Sequence, residues 1–141
     1  MPMREKLKTF PYHTLLLAAY PVLALFANNL GEVSTDVFLR SLAISLGAAA
    51  ALLLLARVVL KGWHRAALLI SLLLLAFFAY GQVYDLKKSL PFLAEVMRHR
   101  FFAPLWLALF LAGTALVLRS RENPRLTPIL NIAAAVMLAM P

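Results

Sequence analysis

The sequence has no cysteine, only five glycines, and six acidic residues against fourteen lysines and arginines. Without thiols there are no disulfides and no thiolate metal ligands, and the redox compartment is left unmarked. Charge is scarce as well: 14% of residues are charged, where soluble domains carry about a quarter. That shortage excludes an ordinary water-soluble domain. Also missing are a glycine-rich phosphate loop, an HExxH pair and a Ser/His/Asp set in structural context. His13, His64 and His99 fall in three different end regions, which gives no metal triad. No catalytic, cofactor-binding or metal-ligating residue is therefore expected, and no cofactor.

What is present is apolar sequence: 63% of the chain is hydrophobic and the mean hydropathy is +0.84. The clearest stretch is Ala66 to Asp85, AALLISLLLLAFFAYGQVYD. Twenty helical residues rise about 30 Å, the hydrocarbon thickness of a bilayer. Leu68, Leu69, Ile70, Leu72 to Leu75, Phe77 and Phe78 cover every face of that cylinder, as a membrane span requires.

The remaining runs follow the same logic. The fold class expected is all-α: a single transmembrane helix bundle of about five spans. They fall at about 13–30, 37–60, 66–85, 102–118 and 127–141, with one short interfacial amphipathic helix at about 89–100. Pro21 predicts a kink in the first span, and Leu25 stands where a signal-peptide site ending at Ala27 wants a small residue, so an uncleaved signal anchor is expected. In the second span Ser41, Ser45 and Ala49 form one small-residue stripe, and Gly47 and Ala51 another. Such stripes let a neighbouring helix approach closely. Gly113 is read as a further packing position, and Trp63 and Trp106 as interfacial anchors.

Between the third and fourth spans, Leu90, Leu93, Ala94, Met97 and Phe101 recur at helical spacing, with Ser89 as cap and Pro91 in the first turn. This pattern predicts a helix lying on the membrane surface. The fifth run is short for a span, and its ending at Ala139-Met140-Pro141, without a polar tail, reads as a truncation.

The net charge of +8 does not indicate nucleic acid, because the lysines and arginines sit in short clusters between apolar runs. Those clusters orient membrane proteins instead. Arg4, Lys6, Lys8, Arg57, Lys61, Arg65, Arg119, Arg121 and Arg125 total nine on one side. Arg40, Lys87, Lys88, Arg98 and Arg100 total five on the other, partly offset by Glu32, Asp36, Asp85 and Glu95. The N-terminus is accordingly placed inside and the chain end outside.

This topology puts Asn28, Asn29 and Glu32, at the end of the first span, on the same outer side as Tyr80, Gln82, Tyr84 and Asp85, at the end of the third. These seven are the candidate outer-rim polar cluster. Polar groups at membrane depth are costly and are functional candidates by default. Near span ends, however, water and headgroups satisfy them cheaply, so helix capping or interhelical hydrogen bonding competes with ligand contact.

Three fragments carry a resemblance: FPYHTLLLAAYPVLALFANNLGEV (Phe10–Val33), LLISLLLLAFFAYGQVYDL (Leu68–Leu86) and RLTPILNIAAAVMLAMP (Arg125–Pro141). They are similar to the membrane-spanning N-terminal region of bacterial sulfatase-like proteins. These are related to lipoteichoic acid synthase and other alkaline-phosphatase-superfamily transferases. The resemblance implies a bacterial cytoplasmic-membrane location and a downstream extracytoplasmic hydrolase or transferase domain that holds the metal and nucleophile. No catalytic residue of that domain falls in this chain. The family pattern commonly has histidine where Asn28 and Gln82 stand. Both replacements keep hydrogen-bonding ability, which suits a paired contact between spans one and three.

Two function classes remain open. One is a multi-pass membrane anchor for an exported domain. The other is a complete small membrane protein, a transporter or a subunit of a membrane complex. A lipid-processing intramembrane enzyme is disfavoured because no intramembrane acid/base pair is visible.

Overall fold

The computed structural model describes residues 10–89, 98–121 and 123–140. Five helices account for most of these, with no strand among the described residues: α1 His13–Asn28, α2 Thr35–Leu60, α3 Trp63–Ser89, α4 His99–Arg119 and α5 Leu126–Leu138. α2, the Trp63–Tyr84 part of α3, and α4 are each long and apolar enough to cross a membrane. At 26 residues α2 extends about 39 Å, given a rise of 1.5 Å per residue. α1, with 16 residues, and α5, with 13, are shorter.

The chain divides into two compact units. The first runs up to Ser71 and resumes at Arg121, and the second is Leu72–Ser120, so α3 passes from one to the other. In the first unit, Leu53, Ala66 and Ala67 are buried together, with Ala56 and Trp63 packed against them. Small residues make this close approach possible, as interhelical contacts in lipid require. Of the two small-residue stripes in α2, Ser45 and Ala49 carry the packing. Ala49 is buried, and the Ser45 hydroxyl donates to the Ala18 carbonyl of α1 at 2.7 Å. Gly47 and Ala51 face outward.

Apolar side chains cover the outside. Leu55, Val58 and Val59 of α2 and Leu107, Leu111 and Leu116 of α4 are all exposed. Water would penalise such a surface by about 25 cal/mol per Å², whereas hydrocarbon does not. The turn after α1 uses Gly31 at φ +95°, a backbone conformation open to glycine and strained for other residues.

Several expected boundaries shift. α3 starts three residues earlier than expected and continues to Ser89. The core of the predicted surface helix, 90–97, lies outside the described residues. His99 and Arg100 form the first turn of α4. Pro104 lies inside α4, so the Arg100 carbonyl lacks its usual donor four residues on.

Candidate functional site

The polar residues gather in two places, one in each unit, built by different means. In the first unit the centre is the start of α1. A helix leaves its first four N–H groups without intrahelical partners, and α1 receives no capping bond from a side chain of its own N-cap residue, Tyr12. Asn131 of α5 supplies one from across the bundle: its Oδ1 accepts the His13 backbone N–H at 2.9 Å. The same oxygen lies 2.9 Å from His13 Nδ1, and Asn131 Nδ2 donates to the Phe10 carbonyl at 2.9 Å.

These partners fix the chemistry. A backbone N–H can only donate and a backbone carbonyl can only accept, so the Asn131 amide has one possible orientation. In the neutral ring His13 then carries its proton on Nδ1, leaving Nε2 as the acceptor. That Nε2 is buried and unpartnered.

Beside it, the Thr14 hydroxyl contacts the Ala67 carbonyl at 3.3 Å and the Ser71 hydroxyl at 3.1 Å. His64 Nδ1 meets the Thr127 hydroxyl at 2.7 Å. His13, Thr14, Ser71, Thr127 and Asn131 are all buried. Helical spacing accounts for the arrangement: Thr127, Asn131 and Ala134 fall at i, i+4 and i+7 of α5, and His64, Ala67 and Ser71 at i, i+3 and i+7 of α3. Each stripe turns one polar, small-residue face inward. Above this network the Phe10 and Trp63 rings meet at 5.4 Å, and the Arg57 guanidinium sits 4.2 Å over Trp63.

In the second unit the contacts are aromatic. The Tyr80 hydroxyl lies 3.0 Å from His99 Nδ1, and the Tyr84 ring stacks on the His99 imidazole with centroids 3.8 Å apart. Tyr80 and Tyr84 are parallel, 6.2 Å apart, and Phe102 and Trp106 complete the cluster. In their apolar stretch α3 and α4 are also tied by Trp106 Nε1–H, which donates to the Ala76 carbonyl at 2.9 Å.

The seven predicted rim residues divide between the units: Asn28, Asn29 and Glu32 in the first, and Tyr80, Gln82, Tyr84 and Asp85 in the second. The Asn28 and Asn29 amides each donate to a carbonyl four residues back in α1, those of Ala24 and Leu25, at 2.9 and 2.7 Å. Glu32 and Gln82 are exposed. Asp85 lies in α3 with its side chain outside the described residues. Within the second unit Tyr80 and Tyr84 come together, and His99 joins them.

Sequence reasoning missed the Asn131 network. The signal was available: Thr14, Ser71 and Asn131 are polar residues within apolar runs, where the cost of burial points to an inward face. Among the described residues, no three His, Asp or Glu side chains are placed to hold a metal ion. No protein-family model, curated protein or solved structure matches the chain.

Proposed function

We propose that this chain is a multi-pass membrane anchor of about five spans, with its N-terminus inside. Three span-length apolar helices support the membrane reading. The observation that carries the anchor role is how the buried polar groups are used. Asn131, Thr127, Thr14 and Ser71 spend their hydrogen bonds on neighbouring helices. Chemistry would need such groups aimed into a cleft. α1 and α5 complete the five spans when the residues flanking each helix are included.

The domain so held is proposed to be an exported sulfatase-like hydrolase or transferase. This part rests on the resemblance of Phe10–Val33, Leu68–Leu86 and Arg125–Pro141 alone. The second reading, a subunit of a membrane complex, is favoured by the exposed apolar face of α4. The reading frame beyond Pro141 separates the two: a metal-binding hydrolase domain supports the first, and a stop codon the second.

Topology is tested with reporter fusions after Lys61 and Pro141. The account expects cytoplasmic signal at Lys61 and exported signal at Pro141. Cytoplasmic signal at Pro141 would sink the exported-domain reading.

A further inference from the structure

Within the second unit, α3 and α4 enclose an apolar groove of about 300 Å³ between Leu73, Phe77, Tyr80, Ala103, Trp106 and Leu107, at the small end of the range for ligand sites. Its two polar wall groups are already engaged: the Tyr80 hydroxyl with His99, and the Trp106 indole N–H with the Ala76 carbonyl. The groove therefore offers an occupant only apolar contact along its length. Eight residues of helix, Ala103 to Phe110, run along it for about 10 Å.

One end is different. Arg100, Ala103, Leu107 and Phe110 fall at i, i+3, i+7 and i+10 of α4, so Arg100 heads the stripe that lines the groove. Arg100 is exposed, its guanidinium 4.6 Å from the Phe101 ring, and His99 adjoins it against Tyr80. Of the side chains described at this end, Arg98 and Arg100 are exposed and cationic. An apolar trough ending in excess positive charge matches a molecule with a hydrocarbon tail and an anionic head.

We propose that this groove binds one anionic phospholipid, with an acyl chain along Leu73, Phe77 and Leu107 and the phosphate at Arg100. A guanidinium recognises phosphate through paired N–H donors. A second copy in the same membrane orientation would set one basic rim against another, which disfavours it as occupant. The lipid is a bound component and undergoes no reaction. The proposal rests on the membrane reading of the chain and holds for either topology.

The test is native mass spectrometry of the full chain, extracted from membranes in detergent and offered equal amounts of phosphatidylglycerol and phosphatidylcholine. Retention of one phosphatidylglycerol in preference to phosphatidylcholine is expected. Arg100→Gln, at an exposed position, should lower that preference about fivefold, as for one arginine near an anionic headgroup. Ala103→Trp, which fills the groove, should abolish retention of both lipids. Equal retention by the native chain, or an unchanged preference in R100Q, overturns the proposal. So does a lipid-free dimer that A103W dissolves, because the groove then belongs to a second copy. Should A103W fail to fold, R100Q decides. Recovery of the chain without detergent would instead refute the membrane reading itself.

Discussion

The two units solve the same problem with opposite materials. In the first, α1 is held by side-chain hydrogen bonds from α2, α3 and α5, at Ser45, Thr14 with Ser71, and Asn131. In the second, α3 and α4 meet through rings, with Trp106 to Ala76 as a polar tie in the apolar stretch. Hydrogen bonds specify register, since a shifted helix strands a buried donor or acceptor. Ring packing tolerates small shifts. The first unit is thus built for one arrangement, and the second for a surface that lipid can share.

The largest expected effect comes from removing the network's centre. Asn131→Leu keeps the volume and strands the His13 N–H, His13 Nδ1 and the Phe10 carbonyl. With each interhelical hydrogen bond in a membrane worth about 0.6 kcal/mol on average and at most about 1.7, a loss of about 2 kcal/mol is expected in reversible unfolding. A value near zero would erase the contrast between the units.

Next in size is Gly113→Leu. A Cβ there would approach Leu72 Cδ2 to 2.9 Å, and overpacking costs about 1–3 kcal/mol. Gly47→Leu, which meets nothing within 4 Å, is the control. Equal effects at the two glycines would show that α3 and α4 are not closely packed at this point. Trp106→Phe preserves a ring and removes only the Ala76 bond, so about 0.5–1.5 kcal/mol should be lost.

A smaller term is the Thr14–Ser71 pair. A double-mutant cycle of Thr14→Val and Ser71→Ala should show coupling of about 0.6 kcal/mol. Smallest of all, Asn28→Ala should change stability by less than about 0.5 kcal/mol, because its amide serves only its own helix. A cycle with Gln82→Ala sharpens the point: measurable coupling would support the paired contact expected from the sequence.

The helices were legible because their signal is continuous: apolar residues on every face over about 20 positions leave few alternatives. Boundaries were less so, since Trp63 and His64 before the third span, and Leu86 to Ser89 after it, are polar enough to read as linker and yet continue the helix. The candidate site was legible only in part. Tyr80 and Tyr84, four apart, share a helix face by spacing alone, but their partner His99 lies nineteen residues from Tyr80, beyond any local periodicity. Asn131 and His13 are 118 apart. Such pairs follow from which helices neighbour one another, and hydropathy does not encode that. Polar residues near span ends drew attention because of their density, whereas isolated ones inside apolar runs proved to be the ties.

The central claim is that a side chain of α5 completes the first turn of α1. Amide hydrogen exchange in detergent micelles tests it most directly, because first-turn amides have no partner within their own helix. The account predicts slow exchange at the His13 amide, faster exchange at the His99 amide in the same position of α4, and loss of the His13 protection in Asn131→Leu. A His13 amide that exchanges as fast as that of His99 in the native chain would contradict it.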